Sequence, residues 1–107
     1  MLAKAAPPRC RMNKLECDYS EHLEARRLAG EITAWKFEPF NLRLAPGASY
    51  KPDFLVVCSD GILELHETKG FWREAARLRI KVAAEAFPWF RFLAVQRKHG
   101  QWITETF

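Results

Sequence analysis

Asp53, Glu67 and Lys69 are the residues whose types and spacing point to chemistry. They lie in two stretches, Tyr50 to Cys58 and Ile62 to Lys69, joined around Ser59-Asp60-Gly61, which is a hairpin signal. A two-residue loop of Asp60-Gly61 would pair Phe54 with Glu67 and leave Asp53 on the opposite face from it. A three-residue loop, with Gly61 in the left-handed position of a G1 bulge, pairs Cys58 with Ile62 and hence Asp53 with Glu67. We take the second register. It sets Val57 opposite Leu63 and Leu55 opposite Leu65, so that an apolar strip leads to two carboxylates, with Lys69 two residues farther along the same side.

Carboxylates on directly opposed residues, with Cβ atoms about 5 Å apart, repel by roughly 3 kcal/mol at an effective dielectric of about 20. Lys69 offers one neutralising charge, and a hard divalent cation offers two. Mg²⁺ suits such a site because it commonly takes one or two protein carboxylates plus waters and substrate phosphates. On a phosphodiester, an ion of this kind polarises the phosphoryl group, generates hydroxide and stabilises the departing alkoxide. The same three residues also describe a surface ion triad, common on exposed strands and contributing little. Spacing alone leaves both readings open.

Other chemistries find less support. His66 alternates to the face opposite Glu67, His22 lies in a helical apolar stripe and His99 sits in a turn, with no H-x-x-x-H spacing between them. Cys10, Cys17 and Cys58 are odd in number and form no C-x-x-C pair, so neither a disulfide framework nor a cysteine zinc site is expected. No glycine-rich phosphate loop points to a nucleotide cofactor.

The elements that must position the three residues follow from the pattern around them. At 107 residues the chain has room for one compact domain. Residues 1–12 carry two prolines, three bases and no apolar periodicity, which predicts a flexible basic arm before a single domain over 13–107. Asn13-Lys14-Leu15-Glu16 has the form of a capping box. Met12, Leu15, Tyr19, His22, Leu23 and Arg26 then share one helical face, and Gly30 stops the helix. Glu16 projects roughly 20° from Leu23, at the edge of that stripe. Ile32 to Phe37 reads as a strand interrupted at Glu38-Pro39, and Phe40 to Leu44 continues extended to a Pro46-Gly47 turn. After the hairpin, a helix from about Arg73 to Phe87 turns Ala76, Ile80, Ala83, Ala84 and Phe87 inward. A strand over 90–95, a His99-Gly100 turn and a short strand over 102–104 complete the chain. The class is α/β, in the order α-β-β-β-α-β with a small addition.

Charge divides unevenly along this order. The formal net charge of +4 comprises +3 over residues 1–12, −4 over 13–68, +6 over 69–98 and −1 over 99–107. The basic segment is able to track a phosphate backbone by displacing counterions, while the acidic half is able to hold cations. On the second helix Arg73, Arg77 and Lys81 recur at i, i+4 and i+8, a stripe beside the carboxylate end of the hairpin that is placed to meet phosphates, or that forms a solvated face. Tyr50 and Lys51, just before Pro52-Asp53, are further candidate phosphate contacts. Phe71 and Trp72 suit core or partner contacts, or stacking on an unpaired base. No apolar run approaches the ~20 residues of a membrane span, and no signal peptide is apparent, so a soluble intracellular chain is expected.

Pro52-Asp53 on one strand, Glu67-Thr68-Lys69 on the next and a glutamate on the preceding helix resemble the PD-(D/E)XK nuclease superfamily. More narrowly, Asn13-Lys14-Leu15-Glu16, Phe37-Glu38-Pro39-Phe40, Pro52-Asp53-Phe54 and His66-Glu67-Thr68-Lys69-Gly70-Phe71-Trp72 are similar to small phage-encoded endonuclease-like proteins, kin to junction resolvases of the endonuclease I type. The resemblance covers residues 13 to about 96. It implies a restriction-endonuclease-like core, with a mixed central sheet flanked by helices. It also implies that Asp53, Glu67, the Thr68 carbonyl and Glu16 hold Mg²⁺ or Mn²⁺, and that Lys69 orients the attacking water and stabilises the transition state.

The activity so implied is metal-dependent endonucleolytic hydrolysis of DNA, branched or junction DNA included, by an intracellular protein of phage or prophage origin acting in a bacterial cytoplasm. A chain of 12.5 kDa covers little duplex, so a homodimer would ease cutting of both strands. The alternative is a non-catalytic nucleic-acid-binding module that keeps the nuclease-like fold. Loss of a ligand would mark it, and Asp53, Glu67 and Lys69 are all present.

Overall fold

Asn13 opens the first helix by the reciprocal bonding that the capping box requires. In the computed structural model, which describes residues 11–107, its side-chain oxygen accepts from the Glu16 N–H at 2.8 Å, and Glu16 Oε1 accepts from the Asn13 N–H at 3.0 Å. Helix α1 spans Lys14–Leu28, and the chain leaves it through Gly30, whose φ of 81° is open to glycine at no steric penalty. The first ten residues of the expected arm lie outside the described residues. Its last two are held: Arg11 donates to Glu38 at 3.2 Å, and Met12 packs beneath α1.

The protein is an α/β fold with two helices and a mixed five-stranded sheet. Strands β1 (Ile32–Phe37), β4 (Phe54–Cys58), β5 (Leu63–Thr68), β6 (Arg91–Lys98) and β7 (Gln101–Thr106) lie side by side in the order β1-β4-β5-β6-β7. Only β5 and β6 run parallel, joined across one face by α2 (Glu74–Ala86). Tyr19 and Leu23 of α1 bury against Ile32, Phe37, Phe54, Val56 and Val95. On the other face Ile80 and Ala83 of α2 meet Leu65, Phe92 and Ala94. As expected, Ala84 and Phe87 also turn to that core. Among the described residues no helix is long and apolar enough to cross a membrane.

Two expectations are corrected. The stretch from Tyr50 to Cys58 is not one strand. Tyr50 ends β3 (Ala48–Tyr50), which pairs with β2 (Leu42–Ala45) in a separate two-stranded sheet turning at Pro46-Gly47. Pro52, fully buried and without an N–H to give a ladder, separates β3 from β4, and Glu38, with φ 47°, turns the chain out of β1. Phe40 accordingly lies outside any strand. The last two strands are longer than 90–95 and 102–104, because His99 and Gly100 both adopt positive φ (53° and 75°) and Lys98 pairs directly with Gln101. A two-residue loop of that hand matches strand twist and lets pairing run to the turn.

A buried polar chain ties α1 to the sheet. Arg91 Nη1 donates to Glu64 Oε2 at 3.0 Å, His66 Nε2 bonds Glu64 Oε1 at 2.9 Å, and His66 Nδ1 bonds the Tyr19 hydroxyl at 2.6 Å. The bond from His66 and the Arg91 charge hold the Glu64 carboxyl below its ordinary range, so Glu64 accepts and Nε2 carries the proton. His66 Nδ1 shares the remaining bond with the Tyr19 hydroxyl. Burial in turn pushes the Tyr19 phenol up, which keeps it a donor. Tyr19→Phe removes that donor and leaves a buried ring nitrogen unpaired. The expected loss is about 1–3 kcal/mol of unfolding free energy, read from the urea midpoint; an unchanged midpoint would show that the bond contributes nothing.

Candidate functional site

The β4–β5 hairpin takes the register with a three-residue loop. Cys58 N–H donates to the Ile62 carbonyl, and Gly61, at φ 90°, returns its N–H to the Cys58 carbonyl, both at 2.9 Å. Val57 pairs with Leu63, Leu55 with Leu65 and Phe54 with His66. One step beyond, the Asp53 N–H donates to the His66 carbonyl at 3.1 Å, which brings Asp53 level with Glu67 at the sheet's end. His66 points to the α1 face, opposite Glu67, as the alternation requires.

Three residues, Thr68, Tyr50 and Lys69, supply the donors that hold these carboxylates. Asp53 Oδ2 accepts from the Thr68 N–H at 2.9 Å and from its hydroxyl at 3.2 Å. Glu67 Oε1 accepts from the buried Tyr50 hydroxyl on β3, and Glu67 Oε2 lies 3.3 Å from Lys69 Nζ. Burial pushes the Asp53 carboxyl up to about 6, against the opposing Thr68 N–H; the charges of Glu67 and Glu16 push the same way as burial. Glu16 thus adds its charge to the field at Asp53 even though its carboxylate closes the capping box. Burial, followed by the Glu67 charge, raises the Tyr50 phenol, so it remains a donor.

Asp53, Glu67 and Glu16 offer only oxygen donors, the type that a hard divalent cation takes. The cluster is not a preformed cage. Among the described residues no three His, Cys, Asp or Glu side chains converge as a metal-binding group, and Asp53 Oδ2 and both Glu67 oxygens already have partners.

The expected phosphate contacts are brought together less well. Arg77 forks onto Glu105 at 2.5 and 2.7 Å and lies over the Phe107 ring, so its charge is met inside the molecule. Lys51 Nζ stands 3.6 Å from Glu38. Arg73 caps α2 without a side-chain capping bond and lies over the exposed Phe71 ring, and Lys81 is exposed. Trp72 packs into the α2-side core and donates its indole N–H to the Val95 carbonyl at 3.2 Å.

Three contributors were missed by sequence reasoning in the form they take. Tyr50 serves Glu67 instead of a phosphate, the Thr68 hydroxyl serves Asp53, and Glu38 donates its N–H to the Asp53 carbonyl at 2.7 Å while its carboxylate draws in Arg11 and Lys51. The only signal for Glu38 was its place before Pro39 at the strand's break. Compared with known proteins, the chain matches no family model, and no curated protein or solved structure matches it.

Asp53 has a folded-state pKa of about 6 against an ordinary value of 3.8. Between those values the native state keeps a proton that the unfolded chain has released, so stability falls as pH rises from about 4 to about 6 and stays lower above that. Asp53→Asn keeps an oxygen for Thr68 and removes the titration. The variant is expected to exceed the parent by about 3 kcal/mol near pH 8, with the gap closing near pH 3. Urea unfolding at both pH values measures it, and a gap that does not change with pH rejects the account.

Proposed function

We propose that the chain is a metal-dependent endonuclease of DNA, with a restriction-endonuclease-like core of the PD-(D/E)XK kind. The observation that carries the reading is the pairing of Asp53 and Glu67 at one level of an antiparallel hairpin, with the Lys69 ammonium on Glu67 and the Glu16 charge acting on Asp53. Asp53, Glu67, the Thr68 carbonyl and Glu16 would hold Mg²⁺ or Mn²⁺. When bound, that ion would supply a Lewis acid for the phosphoryl group and a more acidic water.

The chain's own residues do the rest. Lys69 places a positive charge where a phosphodiester's developing negative charge would lie. The Tyr50 hydroxyl fixes the rotamer of Glu67, and Thr68 fixes that of Asp53, so both carboxylates are oriented before substrate arrives. Two copies, each with one such site, would cut both strands of a duplex, and branched or junction DNA is the substrate class the sequence resemblance favours.

A second reading, a nucleic-acid-binding module without catalysis, draws on the closure of Glu67 by Tyr50 and Lys69 and on the lack of a converged ligand group among the described residues. Incubation of supercoiled plasmid and a four-way junction in Mg²⁺, Mn²⁺ or chelator separates the two. The nuclease nicks only with metal and loses at least about a hundredfold in rate in Glu67→Ala. Tyr50→Phe, which frees Glu67, is expected to lower metal affinity or rate about 10–100-fold. Binding that ignores metal, with no cleavage, establishes the module instead. Wild-type cutting by Asp53→Ala would remove the site assignment even with activity present.

A further inference from the structure

The five-stranded sheet ends in two unlike edges. At one, β1 breaks register between Ile32 and Ala34 and exposes Lys36, two devices that stop a further strand from adding. At the other, β7 has neither lysine nor proline, and its register on β6 runs unbroken from the Leu93–Thr106 pair to the Lys98–Gln101 pair. Every residue of β7 is exposed, Ile103 included, except the half-buried Trp102.

Backbone alternation fixes which groups that edge offers. The Phe107 N–H donates to the Phe92 carbonyl at 2.9 Å, so the odd-numbered residues of β7 bond β6, and Trp102, Thr104 and Thr106 turn their N–H and C=O groups outward. Among the described residues nothing bonds those outward groups. They form a row that another strand is able to pair with.

We propose that the outer edge of β7 is where two copies of this chain join, strand against antiparallel strand, into one continuous sheet. The choice of a second copy follows from which edges are able to mate. A copy offering β1 would meet the register break and Lys36, and its head-to-tail contact would leave an edge open at each end. β2 and β3 are only four and three residues long, and β2 breaks register between Arg43 and Ala45. That leaves β7 against β7, an isologous contact that closes at two copies. One register satisfies every outward group: Thr104 on the two-fold axis beside the partner's Thr104, and Trp102 opposite the partner's Thr106. It pairs threonine with threonine at the centre, sets Ile103 diagonally across from its own copy and opposes no like charges.

The axis runs through the sheet, so both copies keep their α2 faces on one side. Five strand spacings of about 4.8 Å separate β5 from its counterpart, and Glu67 is level with Glu105, one residue from the axis. In a flat sheet the two Asp53–Glu67 sites then share a face, about 25 Å apart. Resting on the nuclease reading, this gives one DNA two cleavage sites related by the kind of two-fold that relates its antiparallel strands. The dimer itself does not depend on that reading.

Light scattering on the full chain, over a concentration series, is the test. A single strand pair lies at the low end of interface size, so the mass is expected to rise from one to two copies of the 12.5 kDa chain with a dissociation constant on the order of 10–100 μM. Thr104→Pro removes an outward N–H and no bond to β6, and is expected to raise that constant at least about tenfold. Should it melt early, Ile103→Lys, which places a lysine on the edge, carries the same expectation. Cα atoms about 5.5 Å apart at the axis lie within disulfide range, so Thr104→Cys is expected to cross-link on oxidation. Gln101→Cys, about 20 Å from its counterpart, is expected to cross-link no more than the parent with its own cysteines. A chain that stays monomeric throughout, a dimer indifferent to both edge variants, or Gln101→Cys cross-linking as readily as Thr104→Cys overturns the proposal. Metal-dependent nicking tests the nuclease reading separately, since one copy holds a whole site: nicking by a monomeric chain overturns the dimer alone, and a dimer that never nicks overturns the nuclease reading alone.

Discussion

Gly61 decides where every side chain of β4 and β5 stands. Its φ of 90° completes a three-residue loop that Asp60 braces by accepting the Ile62 N–H at 3.0 Å. From that loop, pairing proceeds in fixed steps, so Phe54, Val56, Glu64 and His66 face α1 while Leu55, Leu65 and Glu67 face α2 and the β2–β3 hairpin. A slip of one residue would exchange the faces, setting Glu67 among the aromatic side chains under α1 and His66 beside Tyr50. The core pattern and the carboxylate site are thus one decision: the burial that forbids the slip also keeps Asp53 opposite Glu67.

Holding two acids at one level needs compensation, and it comes from chain segments that have other duties. Tyr50 ends a small hairpin that packs on α2, Thr68 ends β5, and Lys69 starts the segment leading to α2. Glu16 shows the tension most clearly. As the third residue of α1 it bonds the Asn13 N–H, which a negative charge at a helix start favours, yet the same charge raises the Asp53 pKa. The helix start and the sheet end are coupled through that carboxylate.

The parts legible in the sequence were those fixed by local rules. Asn13 and Glu16 three apart announce a cap, Gly30 a stop, Ser59-Asp60-Gly61 a register, and the alternation of His66 with Glu67 their opposite faces. What escaped depends on residues far apart in the chain. The apolar alternation of 40–44 does not distinguish a strand of the main sheet from one of a separate hairpin, which is settled by Pro52 and the turn at Glu38. The extra length of β6 and β7 follows from two positive φ values, one of them at His99, where residue type gives little warning. The Tyr50–Glu67 bond spans seventeen positions and exists only once β3 has folded back toward β5.

The block of positive charge over 69–98 changes meaning once the chain is folded. Arg77 is drawn to Glu105, Arg91 to the buried Glu64 and Arg97 to Asp18, so three bases that crowd one stretch of sequence are matched by acids from three others. Arg79 spends its guanidinium on the Ser49 carbonyl. A run of bases in sequence is therefore not a patch on the surface. What counts for a polyanion is where unmatched charge projects, because only a base free of internal partners releases counterions when it meets phosphate. Arg97 illustrates the distinction beside Lys98: the one is bonded to Asp18 and stacked on Trp102, while the other is exposed, with no ion pair among the described residues.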